Sequence, residues 1–213
     1  MKLFYGSDGN LKKPIYGRGN PSNDYGLGFY LAPHKEAAKL WASRFDDGYV
    51  ITYDIDISKL NVLVLNHNTE EDVLKWLTLL IKHRFDSLER IRYKQTIEWM
   101  ISKFDTDLSK YDLVIGYRAD DSYFSYSVGF ISGDISLETL MEAMKLGKLG
   151  LQYVLISSKA FSLIKYVKSE HVNKSGEYDE FRKATLNEYH LLKNKEDRFN
   201  NTFIGEIMKK YGQ

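Results

Sequence analysis

Four stretches of this 213-residue chain bring together side chains that could do chemistry. Asp24-Tyr25-Gly26-Leu27-Gly28-Phe29-Tyr30-Leu31 joins a polar, glycine-rich loop to a short aromatic strand, and its glycines let the loop move and a ligand approach the backbone. Tyr30 then stands at the lip of a cleft; the structural alternative is a hairpin corner with a core tyrosine. Asp8 to Asn23 lacks core periodicity and holds Lys12, Lys13 and Arg18, cations able to meet phosphates. Irregular loops of that length often bind ligands, and a merely solvated loop is the alternative. Asp112 to Tyr117 reads as a buried strand that runs into Arg118-Ala119-Asp120-Asp121. Charges at a strand end are placed either to react or to close a salt-bridged turn. Finally, Gln152 puts an amide into the otherwise apolar strand Leu151 to Ile156.

Composition narrows the classes these residues can serve. A hydrophobic fraction of 43% and a charged fraction of 28% belong to an ordinary globular protein with a sizeable core. A net charge of +1 gives no global bias toward nucleic acid or membrane, although a local basic patch is compatible with it. With no cysteine there is no disulfide, thiol nucleophile or cysteine-bound metal. The histidines His34, His67, His83, His171 and His190 show no zincin-like spacing, so no metal is expected. No apolar run approaches the ~20 residues of a membrane span, and Met1 to Gly6 is too short for a signal peptide. A cytoplasmic protein with no membrane partner is the expectation.

Periodicity supplies the elements that must position the reactive residues. Strands are predicted at Leu3 to Ser7, Gly28 to Leu31, Tyr49 to Ile55, Asn61 to Asn66, Asp112 to Tyr117, Leu151 to Ser157 and Lys165 to Val172. Lys35 to Phe45 reads as a helix with Ala37, Leu40, Trp41 and Phe45 on its packed face. A second helix starts near Asn68 with Thr69 as cap and packs Val73, Leu74, Leu77, Leu80 and Ile81. Leu88 to Phe104, Ser136 to Lys145 and Ser158 to Ile164 read as further helices, and Gly147 and Gly150 punctuate the chain. From Glu177 to Gln213 a charged, partly helical tail either packs back or reaches for a partner, protein or nucleic acid. The expected division is a domain over 1–173 and an extension over 174–213.

In order, these motifs resemble a bacterial family of unknown-function domains grouped with the NAD-dependent ADP-ribosyltransferases, the superfamily of diphtheria-type toxins and poly-ADP-ribose polymerases. The resemblance rests on Leu3-Phe4-Tyr5-Gly6-Ser7, where the family has a histidine in place of Tyr5. It continues through Asp24 to Leu31 and the helix with Ala37 and Trp41, then Ile115-Gly116 with Ala119-Asp120-Asp121, and Leu151 to Val154. It covers about Leu3 to Val172 and implies an α+β fold of split, mostly antiparallel sheets with flanking helices and an NAD+ cleft between the halves. It implies NAD+ as co-substrate, a protein or nucleic-acid acceptor, and a toxin-like role in a toxin–antitoxin or phage-defence system with a cognate antitoxin. By the same resemblance Tyr30 flanks the nicotinamide, Gln152 accepts the ribose 2′-hydroxyl where many relatives have glutamate, and Tyr5 anchors the adenosine ribose. These three are the catalytic candidates. Gly6, Ser7, Arg18, Asp24, Gly28, Phe29 and Arg118 are the cofactor-binding candidates, with Lys12 and Lys13 as further partners for the diphosphate and Asp120 and Asp121 beside Arg118. A catalytically silent NAD-binding or protein-interaction module, or an NAD+ hydrolase, would share these features.

Overall fold

A computed structural model of the chain describes residues 1–66, 69–119, 121–146 and 150–212, with the backbone alone for 121–123. In chain order the first elements are β1 (Lys2–Ser7), β2 (Phe29–Leu31), α1 (Lys35–Ala42), β3 (Gly48–Asp54), β4 (Val62–Leu65), α2 (Glu70–Arg84), α3 (Ser87–Arg92) and α4 (Lys94–Phe104). β5 (Leu113–Tyr117), α5 (Asp121–Ile131), α6 (Leu137–Ala143), β6 (Leu151–Leu155), α7 (Ser158–Leu163), β7 (Lys165–Val172), α8 (Glu177–Lys193) and α9 (Ile204–Lys210) follow. The fold is α+β. Two compact units share the chain: Met1–Val64, Asp107–Gly116 and Leu151–Phe181 form the first, and Leu65–Thr106, Tyr117–Gly150 and Arg182–Gln213 the second. The expected division at 173/174 does not coincide with this interleaved one, because apolar residues of the tail are buried in both units.

The first unit holds two sheets, in strand order β1-β3-β7 and β2-β6-β5-β4. β3 pairs antiparallel with both β1 and β7, and β2 pairs antiparallel with β6. A bridge joins the sheets, with Phe4 N donating to Ala32 O at 2.8 Å and Ala32 N to Phe4 O at 2.7 Å. Period-two alternation sends Leu3, Phe29, Leu31, Ile51, Tyr53 and Leu155 into one buried cluster. The opposite face of β1 and β3 receives α1.

That helix packs through Ala38 and Ala42 rather than through the predicted Ala37, Leu40, Trp41 and Phe45. The reason lies in the strands beneath it: an ideal Cβ on Gly6 would lie 2.3 Å from Ala38 O, and one on Gly48 2.3 Å from Ala42 O. Backbone meets backbone here, so the interface takes alanine above glycine, and the larger side chains turn aside. Trp41 meets Tyr178 edge-on at 5.6 Å, with the Arg44 guanidinium 4.1 Å from the tryptophan ring and 4.5 Å from the tyrosine. The charge lies over two aromatic faces, and the first turn of α8 is thereby held in the first unit.

The second unit is helical. Thr69 caps α2 by accepting from Asp72 N at 3.1 Å, and Glu70, Glu71 and Asp72 suit the positive end of the helix dipole. Trp76, Thr78 and Leu79 are buried along with the predicted face, as befits a helix at the centre of its unit. The predicted single helix from Leu88 to Phe104 is two helices, broken at Tyr93 (φ −112°, ψ 26°). Asp86 and Glu89 form a reciprocal capping box that opens α3. Arg90 then donates to the carbonyls of Ile81, Lys82 and Phe85 at 2.8 to 3.0 Å, tying α3 to the end of α2. The chain turns at Tyr93 and α4 packs along α2. The tail packs back as well. Tyr189 lies 4.0 Å from the buried Tyr126, Ile207 is fully buried, and Trp99 Nε1 donates to Gly212 O at 3.0 Å. Among the described residues no helix is long and apolar enough to cross a membrane.

Candidate functional site

β2 and β6 carry the residues that the motifs single out. Their register sets Phe29 opposite Leu155, Tyr30 opposite Val154 and Leu31 opposite Tyr153. Phe29, Leu31, Leu151, Tyr153 and Leu155 face the buried cluster. By alternation Tyr30, Gln152 and Val154 share the other face.

That second face is covered by the loop from Asp24 to Gly28. Gln152 Nε2 donates to Asp24 Oδ2 at 2.9 Å, and each residue is only 7% exposed. The Tyr30 hydroxyl donates to Gly26 O at 2.6 Å and accepts from Tyr25 N at 3.1 Å. Tyr25 is 1% exposed, so its ring is part of the interior. Gly26 takes φ +74°, which favours glycine, and Gly28 lies so close on β6 that a Cβ there would meet Val154 Cγ1 at 2.6 Å. A loop free to move is the expectation here; it is instead fastened, by the Tyr30 hydroxyl to Tyr25 N and Gly26 O and by Gln152 to Asp24. The difference arises because its polar groups are buried and each must find a partner.

Tyr5 and Phe29 belong to the opposite face. Their rings are 4.7 Å apart, and Phe29 in turn lies 5.5 Å from Tyr53 and 6.1 Å from Phe161. Burial raises the Tyr5 phenol above its ordinary pKa; a hydrogen bond with Ser7 opposes that shift and the Asp8 charge adds to it. Burial does the same to Tyr53, with Tyr5 and Tyr166 contributing. Both phenols stay neutral near pH 7 and act through hydrogen bonds. The Tyr53 hydroxyl donates to Leu11 O, which fastens the start of the 8–23 loop.

The structure therefore divides the sequence-predicted residues. Asp24, Gly28, Tyr30 and Gln152 come together on one face of the β2–β6 pair, while Tyr5 and Phe29 stand in the aromatic cluster on the other. Gly6 supports α1 at close approach. Ser7 is 8% exposed, and its Oγ accepts from Gly9 N at 3.3 Å. Arg18 is exposed and closes a turn, its N donating to Ile15 O at 3.2 Å. Arg118 belongs to the second unit; Asp120 and the side chain of Asp121 lie outside the described residues. Tyr53 and Phe161 join Phe29 without having been singled out by sequence. Aromatic residues on neighbouring strands carry no spacing signal that separates a site wall from a core. The Asp24–Gln152 contact had a clearer sign: one amide in an apolar strand needs a polar partner when buried. Among the described residues no group of three or more His, Asp or Glu side chains could hold a metal ion.

Fold and site together describe an α+β protein with two small sheets and a buried acid–amide pair beside a half-buried phenol on the pair β2–β6. Residues 1–166 match the family described as "Protein of unknown function (DUF3990)", and the chain belongs to that family. No curated protein and no solved structure gives a significant match.

Proposed function

We propose that the protein is an NAD-dependent ADP-ribosyltransferase, a toxin-like effector of a toxin–antitoxin or phage-defence system that transfers ADP-ribose from NAD+ to a macromolecular acceptor. One observation carries the reading: Asp24, Tyr30 and Gln152, drawn from two motifs 120 residues or more apart in sequence, meet on one face of two paired strands.

The arrangement suits the chemistry. Cleaving the nicotinamide–ribose bond passes through an oxocarbenium-like species, so positioning and electrostatics dominate. A tyrosine ring beside the cationic nicotinamide and a buried carboxylate on the same face both favour positive charge. The bond from Gln152 Nε2 to Asp24 sets the orientation of the amide. Its Oε1, with two lone pairs, is then the end that accepts the ribose 2′-hydroxyl. An amide orients that hydroxyl without acting as a base, so the acceptor must itself be a good nucleophile or find its base elsewhere. Tyr5, whose ring stands in the aromatic cluster on the opposite face, is given no contact with NAD+ in this reading, and Ser7 and Arg18 are the candidates for the diphosphate.

A catalytically silent NAD-binding module is the second reading, favoured by Tyr5 in place of the family's histidine and by the engagement of Gln152 with a carboxylate. To separate the readings, the protein is given NAD+ labelled on the adenylate, with cell lysate, RNA, DNA or no acceptor. Nicotinamide release with label on a macromolecule is expected. No release under any condition would leave the silent module, and release without macromolecular label would mark an NAD+ hydrolase.

A further inference from the structure

The 8–23 loop brings positive charge and exposed apolar side chains together on the surface of the first unit. From Asp8 to Asn23 it carries three cations, Lys12, Lys13 and Arg18, and one acid, Asp8, at its first position. Elsewhere in that unit Lys35, Lys59, Lys110, Lys159, Lys168 and Lys174 each sit within 4.0 Å of a carboxylate. Among the described residues Lys2, Lys12, Lys13, Lys39 and Lys165 of that unit have no such neighbour; Lys12, Lys13 and Lys165 are the ones gathered at the loop and the start of β7, where their charge is available to an outside anion.

Aromatic and apolar groups are interleaved with that charge. Ile15 is 53% exposed and Tyr16 55% exposed, though such rings and side chains would ordinarily be covered. The Tyr16 ring is held edge-on against Phe161 at 5.5 Å, which leaves it projecting as a fixed plate. Lys12 Nζ stands 5.9 Å over the ring of Tyr166, next to Lys165 at the start of β7. The loop is also preorganised: Leu11 packs on the core, Leu11 O accepts from the Tyr53 hydroxyl, and Pro14 is buried. A mobile charged loop would pay an ordering cost on binding; this one is ordered already.

We infer that this loop and the start of β7 form a surface for single-stranded nucleic acid, with Lys12, Lys13 and Lys165 on successive phosphates and Tyr16 stacked on a base. Fixed aromatic plates between unpaired cations are what a flexible strand of flat bases and phosphates requires, whereas an acidic protein would use the charge and leave the ring idle. The surface abuts the proposed NAD+ site, since a Cβ on Gly19 would lie 3.3 Å from Gly28 O at the entrance to β2. Its role as the acceptor surface rests on the transferase reading; its role in binding does not. As acceptor, a nitrogen of an unpaired base forms the new bond to ribose C1′. Nicotinamide leaves with the pair of the broken bond, and the proton of the attacking nitrogen passes to solvent.

The test is fluorescence anisotropy with labelled single-stranded RNA and DNA oligonucleotides of about 15 nucleotides, the upper range of single-strand site sizes, and with fluorescent polyglutamate as a polyanion without bases. Three phosphate contacts predict that log K falls against log salt with a slope of about −2, and Lys12→Ala/Lys13→Ala should reduce that slope to about −0.7. Tyr16→Ala should weaken binding about 5- to 150-fold, and Tyr16→Phe, which keeps the plate, should retain it. Lack of oligonucleotide binding at about 50 mM salt, where three contacts should still hold a strand, overturns the inference. So does equal binding of polyglutamate with no effect of Tyr16→Ala, which would assign the surface to an acidic protein. Binding is measured without NAD+ and nicotinamide release without oligonucleotide, so the failure of either reading leaves the other standing.

Discussion

Replacing Gln152 by glutamate, a change of one side-chain atom, should damage the protein. The amide nitrogen lies 2.9 Å from Asp24 Oδ2, with both residues 7% exposed. The exchange removes a buried donor, a loss of about 1 to 3 kcal/mol. It also sets two carboxylates against each other, and at 2.9 Å with an effective dielectric near 20 the repulsion has a ceiling of about 6 kcal/mol. Proton uptake relieves most of it, because a carboxylic acid can donate to Asp24 as the amide did. The net cost near neutral pH should be about 3 kcal/mol. The sign with pH follows. The introduced carboxyl has a folded pKa raised above its unfolded value of about 4.3, so the folded state holds the extra proton and stability falls as pH rises through that range. Urea unfolding at pH 4.0 and 7.5 is the assay: Gln152→Glu should lie near the wild type at the lower pH and well below it at the higher. Adding Asp24→Asn, which returns an amide–carboxylate pair in reverse, should recover all but about 1 kcal/mol. A single variant as stable as the wild type at pH 7.5, or a double variant with no recovery, would refute the idea that this pair is a coupled unit.

Three further outcomes follow from other contacts. Gly6→Ala forces a Cβ against the backbone of α1, 2.3 Å from Ala38 O, and should cost about 2 to 3 kcal/mol in urea unfolding; unchanged stability would remove Gly6 as the seat of the helix. Tyr30→Phe keeps the ring but loses the hydrogen bonds to Gly26 O and Tyr25 N, and the 24–28 segment should become the first site of limited proteolysis; a wild-type cleavage pattern would mean that the hydroxyl does not fasten the loop. Asp112 is held below the usual carboxylate range by Ser157 Oγ, by Asn61 N and by Lys159. Its contribution is therefore present at neutral pH and lost as pH falls through its folded pKa, so Asp112→Asn should flatten the stability profile below about pH 4. An unchanged profile would count against it.

Much of the framework was legible because strand alternation and helix caps are local signals. The seven strands read from Leu3 to Val172 all appear, and Thr69 and Ser136 cap the helices they announce. The packed face of α1 was not legible, since it depends on Gly6 and Gly48 meeting alanines from another element. Nor was the break at Tyr93, next to which Arg90 bonds the carbonyls at the end of α2, because those contacts are tertiary and leave no local pattern. In the site, the types of Asp24, Tyr30 and Gln152 drew notice, but their partnership needed the β2–β6 register. Phe29 and Tyr30 were both candidates for the NAD+ site; being adjacent on a strand, they point to opposite faces.

The most direct measurement is nicotinamide release from NAD+ by the purified wild type beside Tyr30→Ala and Gln152→Ala, each first checked for cooperative unfolding. Release by the wild type, abolished in both folded variants, is the predicted result. Wild-type release that either folded variant retains, or no release by the wild type with any acceptor supplied, would contradict the assignment of this face of β2 and β6 to NAD+ cleavage.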